Sequence, residues 1–497
     1  MMFEQRRLHP VAAVISFLKM LKELIVPVLF LLFVGPGGND PFQKYYYLGL
    51  LALLVILLAA GIVSWLRYTY RVEGNELRIE YGIFVRKKRY IPLERIQSID
   101  FSRGILQRMF GLVKVQVETA GGGAQAEAVL TAVKMEEAEE LKIALKPQPL
   151  DMPEGEEESA EEQTEVTYRL TTSDLLIAAS TSGGIGVILS ALAALASQFD
   201  ELIPEDMFVE AFEWVVGLGV LVIVGAVLVG AVIAWLLSIA GTIIRYGNFT
   251  VTRKGDDIII SRGLIEKRQV TIPVRRIQAV RMSESVLRQP FGFATLFIES
   301  AGGASSKEED FSTTLYPILR RRDTEAFLEK MLPEYSLSSI YTGPPARALR
   351  RYLFRAAVPA VIPAAAAAVW LYPWGMIGLL LIPAAGFIGY LRWKDAGWHI
   401  DSGFLFLRYR QFGRTTVALP KKRVQSLQVS QHLFQRRQGL ASISSAVVSS
   451  FAGKDFTVKD LREEDVLDMF EWYSHERPDF IEKDRGLLSN PLLDEPE

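Results

Sequence analysis

The chain has 497 residues, 50% of them hydrophobic, and a mean hydropathy of +0.20. Soluble globular domains are rarely this apolar, so the composition indicates a membrane protein. The formal net charge of −2 says little about partners, because positive and negative residues are concentrated in different segments of the chain. The absence of cysteine excludes disulfides, thiolate nucleophiles and cysteine metal sites.

Apolar stretches long enough to cross a bilayer occur in three pairs and predict three membrane hairpins. They cover residues 11–34, 46–66, 174–197, 214–240, 353–371 and 375–391. The first stretch begins as an amphipathic, interfacial helix over about residues 9–23, because Lys19, Lys22 and Glu23 interrupt it. These charges, and the lack of a small-residue cleavage site, argue against a cleaved signal peptide.

The segments that follow the hairpins begin with Arg67, Arg245 and Arg392 and are rich in Lys and Arg. The turn at 198–213 contains neither residue type. The positive-inside rule therefore predicts that the long segments and both termini lie in the cytoplasm. A multi-pass protein of a bacterial inner membrane is the expected location.

One motif returns after each hairpin. "YIPLERIQSI" at 90–99 is followed by "TIPVRRIQAV" at 271–280 and "ALPKKRVQSL" at 418–427, and a glycine comes later at the same spacing. The shared positions are Pro92, Pro273 and Pro420; Arg95, Arg276 and Arg423; Gln97, Gln278 and Gln425; and Gly111, Gly292 and Gly439. The chain is therefore an internal threefold repeat.

Alternating segments predict strands in each repeat. "ELRIEYG" with "RKKRYIPL", and "DIIISRG" with "EKRQVTIP", predict hairpins joined by turns that contain glycine. The helical patterns "KMEEAEELKIAL", "ILRRRDTEAFLEKML" and "LREEDVLDMFEWY" close the three repeats. The third repeat has diverged, because Arg410 stands where the others have Gly82 and Gly263.

The hairpin, its Arg-Tyr or Arg-Trp exit, "IPLERIQSI" and "ILQRMFG" together resemble the bacterial pleckstrin-homology-like (PH-like) domain of YdbT-type membrane proteins. The resemblance covers essentially the whole chain and all three repeats. It implies a seven-stranded PH-like barrel in each repeat and no known catalytic activity. The expected fold class is therefore six membrane-spanning helices in hairpins, alternating with three small antiparallel β-barrel or sandwich domains, each with a C-terminal helix.

These features predict a division of the chain into eight segments. An acidic run, "DMPEGEEESAEEQTE", predicts an extended spacer between the first domain and the second hairpin, with masking of a basic face as the alternative. The segments are 1–66, interfacial helix and first hairpin; 67–150, first PH-like domain; 151–172, acidic linker; 173–241, second hairpin; 242–336, second PH-like domain; 337–391, linker and third hairpin; 392–477, third, diverged PH-like domain; and 478–497, disordered tail.

Cations around the repeated arginine are the candidate lipid-binding or partner-binding residues. They are Arg95, Arg275, Arg276, Lys421, Lys422 and Arg423. An arginine at such a place can meet a phosphate or carboxylate, or it can bridge backbone carbonyls at the end of a strand. The membrane-proximal half of each domain is basic, with 11 Lys and Arg against 5 Asp and Glu in 67–115, 10 against 4 in 245–297 and 10 against 2 in 392–439. This charge would attract anionic lipid, or it serves only to orient the hairpins.

The other repeated residues are expected to be structural. Pro92, Pro273 and Pro420 end strands, and Gln97, Gln278 and Gln425 can satisfy backbone groups beside a turn. Gly111, Gly292 and Gly439 permit a backbone conformation that other residues resist.

No pattern for an active site occurs in the sequence. The four histidines have no metal-ligand spacing, and the runs "AGGGA" and "AGGAS" lack the lysine and helix start of a phosphate loop. No serine lies in a nucleophile elbow, and the basic stretches lack the aromatics of nucleic-acid binding. We therefore expect no catalytic, cofactor or metal site and no nucleic-acid partner.

The sequence thus favours a non-enzymatic, membrane-proximal scaffold that binds anionic lipid headgroups or proteins. A role in envelope integrity or in resistance to membrane-active antimicrobials would suit such a scaffold. A transporter or lipid-handling channel is the alternative, although ionisable groups are nearly absent from the spans. Faces of small residues such as Ser182, Gly186 and Ser190 predict close helix packing, which could extend to self-association or to a smaller related membrane protein.

Overall fold

The computed structural model describes residues 5–34, 43–119, 127–145, 165–182, 190, 220–300, 313–370, 374–448 and 454–474. Contacts divide the chain into two units. The first unit is Met1–Leu170, Ile243–Pro273 and Gly302–Glu309, and the second is Thr171–Thr242, Val274–Ala301 and Asp310–Glu497.

The first unit contains eleven of the strands in the described residues. They are β1 (Arg6–Arg7), β2 (Thr69–Glu73), β3 (Glu76–Tyr81), β4 (Lys87–Pro92), β5 (Ile96–Arg103), β6 (Leu112–Thr119), β7 (Ala128–Lys134), β8 (Val166–Arg169), β9 (Thr250–Lys254), β10 (Asp257–Arg262) and β11 (Lys267–Pro273). Its helices are α1 (Val11–Val34), α2 (Gln43–Arg67), α3 (Ile105–Met109) and α4 (Met135–Ala144).

The second unit contains the remaining described strands. They are β12 (Ile277–Glu284), β13 (Phe293–Ser300), β14 (Thr313–Arg320), β15 (Gly397–Asp401), β16 (Phe404–Arg410), β17 (Arg414–Pro420), β18 (Val424–Ser430), β19 (Leu440–Val447) and β20 (Lys454–Arg462). Its helices are α5 (Thr172–Ser180), α6 (Val220–Tyr246, of which Ile243 onward belongs to the first unit), α7 (Thr324–Met331), α8 (Leu349–Trp370), α9 (Leu381–Asp395), α10 (Leu433–Arg436) and α11 (Glu463–Ser474).

Four helical segments of the described chain are long and apolar enough to cross a membrane. They are Tyr47–Arg67, Leu228–Tyr246, Ala346–Trp370 and Gly375–Asp395. These segments correspond to four of the six predicted spans, and α6 ends six residues later than predicted. The predicted span 11–34 forms the single helix α1 but is not among the four, and most of 174–197 lies outside the described residues. Those two spans therefore stay predictions.

Glycines allow close helix contact in two hairpins. A Cβ on Gly61 of α2 would lie 3.0 Å from the carbonyl oxygen of Ala13 in α1, and one on Gly389 of α9 would lie 2.7 Å from that of Tyr352 in α8. Glycine at these two positions lets the helix backbones approach each other. Pro359 and Pro363 lie inside α8.

Every repeat folds into two three-stranded antiparallel halves, of which the second ends in the predicted helix α4, α7 or α11. In the first repeat both halves enclose one core, because alternate residues such as Leu77, Ile79, Val115 and Leu130 are buried. The three-residue 3₁₀ turn after β4, β11 and β17 carries the repeated arginine and joins the halves. The predicted hairpins and C-terminal helices are thus present.

The repeated glutamine lies at a β-bulge in all three repeats. Strand pairing shifts between Ile96 and Ser98, between Ile277 and Ala279, and between Val424 and Ser426, which leaves Gln97, Gln278 and Gln425 as the extra residues. Gln278 is buried, and its Nε2 donates to the carbonyl oxygen of Arg276 at 2.9 Å. A bulge bends its strand, which lets the first strand of the second half turn away from the 3₁₀ turn.

Residues before the membrane hairpin add an edge strand to each first half. Strand β1 pairs with β2, strand β8 pairs with β9, and Thr342 forms an isolated bridge with Trp398 of β15. Each repeat therefore reaches the expected seven strands or bridges only through residues that precede its hairpin. The last part of the predicted acidic linker 151–172 accordingly contains strand β8, which pairs with β9 of the second repeat.

Neighbouring repeats share sheets, which the prediction of three separate barrels does not include. In the first unit, β5 of the first repeat pairs with β11 of the second, giving the order β7-β6-β5-β11-β10-β9-β8. In the second unit, β12 of the second repeat pairs with β17 of the third, giving β14-β13-β12-β17-β16-β15. The sheets β1-β2-β3-β4 and β18-β19-β20 contain strands of one repeat only.

The third repeat has a shorter hairpin turn, which accounts for Arg410. In the first two repeats, Gly82 and Gly263 have φ of 121° and 109°, and a Cβ there would lie 2.0 or 1.9 Å from a turn carbonyl oxygen. In the third, Arg410 pairs directly with Arg414, so only residues 411–413 form the turn. The arginine is therefore part of a strand and avoids the left-handed conformation that its counterparts adopt.

Candidate functional site

Each domain has one end at the membrane helices and one end away from them. In the first repeat, Arg67 at the end of α2 donates to the carbonyl oxygen of Ile83 in the β3–β4 turn. In the second, the amide of Leu264 donates to the carbonyl oxygen of Ile244 in α6 at 2.9 Å. In the third, Arg392 of α9 donates to the carbonyl oxygen of Gln411 at 3.0 Å. The turn between the second and third strands of the first half thus lies at the end of a membrane helix in all three repeats.

The motif cations lie at the opposite end of the strands. Strand β4 has six residues and spans roughly 20 Å. At its far end the amide of Leu93 donates to the carbonyl oxygen of Asn75, beside Arg95. In the third repeat, Lys421 donates likewise to the carbonyl oxygen of Gly403. The motif turn is therefore about one strand length from the turn that contacts the membrane helix.

Within that turn, the candidate cations differ in surroundings. Arg95, Arg275 and Lys422 are exposed, whereas Arg276, Lys421 and Arg423 are half-buried. Lys421 lies 5.3 Å from the ring centroid of Trp472, and Arg423 donates to the carbonyl oxygen of Arg275 at 2.5 Å. The structure does not bring the six cations together at the helix ends, and their binding role stays a prediction.

A basic cavity of about 360 Å³ lies instead where the third hairpin meets the third domain. Its lining combines cations, tyrosines and one carboxylate from α8, α9, β16, β20 and the turn after β16: Tyr352, Arg355, Arg392, Ala396, Tyr409, Arg410, Gln411, Asp455, Thr457, Val458 and Lys459. Arg355 and Arg392 flank the apolar parts of the two membrane helices. Cations at such positions lie at the depth of lipid headgroups.

Two of the cavity cations are fixed by aspartates behind the lining. Arg410 is buried and donates through Nε to Asp395 and through Nη1 to the carbonyl oxygen of Phe412 at 3.0 Å. Arg355 donates to the fully buried Asp460. Arg410 is thereby paired with Asp395, whereas Arg355 shares the single carboxylate of Asp460 with Arg351. The positive charge of the cavity therefore comes from Arg355, Arg392 and Lys459, opposed by Asp455.

Two tyrosines, Tyr352 and Tyr409, form the aromatic part of the cavity. The hydroxyl of Tyr352 donates to the carbonyl oxygen of Lys459 at 2.5 Å, and the guanidinium of Arg355 lies 5.5 Å from the same ring. Burial raises the pKa of Tyr409, so this phenol remains protonated at neutral pH. A phosphate with a polar headgroup therefore finds cations and two tyrosine rings in one place.

A second basic cavity of about 210 Å³ lies in the first unit, where β5 meets β11. Four cations and one carboxylate are among its lining residues: Arg103, Lys142, Lys267 and Arg268, with Glu139. It lies at the junction of the first two repeats, on the strand ends that approach the membrane helices. The excess of cations at these strand ends therefore occurs in both units.

The comparisons with known proteins agree with this architecture. A model of the bacterial PH domain matches residues 23–148, 214–334 and 354–477. The UPF0699 transmembrane protein YdbT of Bacillus subtilis (strain 168) is 42% identical over 494 residues, which cover 96% of this chain and 100% of that protein. The chain belongs to the bacterial PH domain family. The UPF0699 transmembrane protein YdbS of the same organism is 30% identical over 134 residues, which cover 25% of this chain and 82% of that protein.

The membrane-proximal ends of the bacterial PH domains also expose large apolar side chains. In the hairpin turns Phe84 is 96% exposed and Phe412 is 74% exposed. The short helical turns that follow β5, β12 and β18 expose a second set: Ile105, Met109, Phe110, Val286, Leu287, Phe291, Leu433 and Phe434. Apolar side chains with flanking cations at a helix exit are typical of protein parts that enter the interfacial layer of a bilayer.

Sequence reasoning missed the polar residue that anchors these helical turns. Gln107, Arg288 and Gln435 occupy equivalent positions. Gln107 donates to the carbonyl oxygen of Thr131 at 3.3 Å, and Gln435 donates to Asp460 at 2.7 Å. Arg288 donates to the carbonyl oxygens of Pro317 and Ala178, both at 3.0 Å, and so reaches helix α5. The fixed spacing from the repeated glycine was the signal that could have identified this position.

Proposed function

We propose that the protein is a non-enzymatic scaffold of the membrane surface whose bacterial PH domains bind anionic lipid headgroups at the ends of its own membrane helices. The observation that carries the proposal is the basic cavity formed by Arg392, Lys459 and the residues around them. The ligand would be the phosphate of an anionic phospholipid, with its acyl chains beside α8 and α9. The domains and both termini face the cytoplasm in this proposal, as the distribution of Lys and Arg favours.

Location supports a lipid rather than a soluble anion. A hydrocarbon core of about 30 Å within a bilayer of about 40–45 Å leaves an interfacial layer roughly 5–8 Å thick on each side. Arg355 and Arg392 end the apolar parts of two membrane helices and also line the cavity. In this proposal the cavity mouth lies at the depth where headgroup phosphates are concentrated, and a modest intrinsic affinity suffices at that local concentration.

Lys459 provides the sharpest test, because its side chain is exposed and lines the cavity. The full chain in neutral detergent would be titrated with short-chain phosphatidylglycerol and, in parallel, with short-chain phosphatidylcholine. We expect selective binding of phosphatidylglycerol that weakens about tenfold in Lys459→Glu, which corresponds to roughly 1.4 kcal/mol. Lys422→Glu makes the same charge change in the motif turn and should bind like the parent chain.

The opposite pattern would refute the cavity as the site. Equal binding by the parent chain and Lys459→Glu would remove it, and loss of binding only in Lys422→Glu would move lipid binding to the motif cations. Raising the salt concentration should weaken the phosphatidylglycerol complex, because exposed charges are screened.

The cellular role we propose is support of envelope integrity, including resistance to membrane-active antimicrobials. A strain that lacks the gene should become more sensitive to such compounds. Complementation by the parent chain should restore resistance, and complementation by Lys459→Glu should not. Unchanged sensitivity of the deletion strain would refute this role without affecting the lipid-binding proposal.

A further inference from the structure

Two strands of this chain have a free edge among the described residues, although the equivalent strands in the other repeats are paired on both sides. The third strand of the first half pairs on both sides in the second and third repeats, where it is β11 and β17. Its equivalent in the first repeat, β4, pairs only with β3 in the described structure. The first strand of the second half, β5 and β12, likewise pairs on both sides. Its equivalent β18 pairs only with β19 among the described strands.

The two existing junctions use the same register. In the first, Arg103 and Ser102 face Lys267 and Arg268. In the second, Glu284 and Ser283 face Arg414 and Thr415. These residues have matching distances from the repeated glutamine and the repeated proline. One rule therefore describes both junctions and can be applied to β18 and β4, where it places Ser430 opposite Lys87.

Burial along the two edges shows that the described residues leave this surface uncovered. Thr415 and Thr416 in β17 are buried, but their equivalents Lys87 and Lys88 in β4 are exposed. Ala279 in β12 is fully buried, but its equivalent Ser426 in β18 is exposed, as are Gln428 and Ser430. An exposed edge of this kind is a template for pairing with another strand.

We propose that copies of this chain assemble head to tail in the membrane, with β4 of one copy adding to β18 of the next. Both edges are present once in each chain, so the contact is heterologous and continues the internal array from one molecule to another. The stretch Leu427–Gln431, at the end of β18 and just after it, carries no charge. The basic run Arg86–Arg89, at the start of β4 and just before it, therefore meets no like charge there. Backbone hydrogen bonds along the added strand supply the affinity.

The absence of cysteine from the chain allows a direct test by disulfide crosslinking. Lys87→Cys and Ser430→Cys, in full-length chains with different tags, are co-expressed and oxidised in native membranes at low protein density. Paired antiparallel residues have Cα atoms about 4.5–5.5 Å apart, within the range that a disulfide spans. We expect a dimer that carries both tags, and a ladder of multimers when both cysteines are in one chain.

Two matched pairs control for random collision and for register. Lys87→Cys with Ser426→Cys displaces the partner by four residues, roughly 13 Å, and should give less than a tenth of the product. Two chains that both carry Lys87→Cys should not crosslink, because the contact is heterologous. Equal product from the Ser426→Cys pair, or no product from any pair, would overturn the proposal.

One other arrangement would also be recognised by this experiment. A disulfide formed only within the doubly substituted chain would indicate that β4 and β18 of the same molecule pair with each other. That result would replace self-assembly. The outcome is independent of lipid binding, since Lys87 and Ser430 line neither basic cavity.

Discussion

Asp460 offers the most direct test of how the third domain is joined to its membrane hairpin. Its side chain is fully buried and accepts from Arg351 at 2.9 Å and from Gln435 at 2.7 Å, as well as from Arg355. Arg351 and Arg355 lie one turn apart on α8. One carboxylate on β20 therefore holds two cations of a membrane helix.

The substitution Asp460→Asn removes this charge and keeps the shape of the side chain. Asparagine also tolerates the left-handed backbone of this residue, which has φ of 56°. Removing one partner of a buried ion pair costs about 3–5 kcal/mol. Because the side chains of Arg351 and Arg355 are 21% and 40% exposed, water compensates part of the loss. We therefore expect a cost near the lower end, about 3 kcal/mol.

Hydrogen exchange of the full chain in detergent measures this cost locally. A loss of about 3 kcal/mol lowers amide protection in β19 and β20 by roughly two orders of magnitude. The change of the exposed Asp455 on the same strand to asparagine is the control and should leave protection unchanged. Adding Arg351→Met and Arg355→Met to Asp460→Asn should recover part of the protection, because no charge is then left unpaired. Unchanged protection in Asp460→Asn would refute the coupling.

Two further substitutions test the packing of the hairpins and of the third domain. Gly389→Leu should prevent close contact of α8 and α9 and lower the yield of monodisperse protein, because a Cβ there would lie 2.7 Å from the carbonyl oxygen of Tyr352. Gly386→Leu is the control and should keep the full yield, because no atom lies within 4 Å of its Cβ. Equal yields of the two variants would contradict the contact. Burial raises the pKa of Asp465, so ionisation costs the folded state stability as the pH rises above the usual range of aspartate. Asp465→Asn should therefore raise the unfolding midpoint at pH 7 by roughly 2 °C and have no effect at pH 3, while Glu464→Gln has none at either pH; a lower midpoint in Asp465→Asn would show that the charge is stabilising.

The repeat and its local elements were predictable, because their signals are short in range. Hairpins, closing helices and four of the membrane spans follow from periodicity and hydropathy. The bulge at Gln278 was not predictable, since one extra residue on a strand leaves the alternation on either side intact. The glutamine was expected beside a turn, and it lies one residue into the strand that follows the turn.

Sharing of sheets between repeats could not be derived from the sequence. The residues that pair across the junctions, such as Ser102 with Arg268, are far apart in the chain, and alternation specifies the buried face of a strand but not which strand lies beside it. The position of the motif cations follows from the same geometry. The motif "IPxxR" identifies Arg95 and Arg423 as repeated cations, but it does not specify how far they lie from the membrane. That distance depends on the direction in which the strand before the turn runs.

The divergence of the third repeat provides a physical reason why its cavity includes a fixed guanidinium. Where a glycine forms the turn, as at Gly82 and Gly263, no side chain can extend from that position, because a Cβ would collide with a turn carbonyl. Shortening of the turn to residues 411–413 places Arg410 in a regular strand position, where its side chain reaches Asp395 at the end of α9 and lines the cavity. The change that removes the glycine thus also supplies a polar link between the domain and the membrane helix. We therefore expect headgroup binding to be strongest in the third repeat and to depend on this turn length, so that a chain with the first repeat's five-residue turn in place of residues 411–413 should lose selectivity for phosphatidylglycerol even though Lys459 is retained.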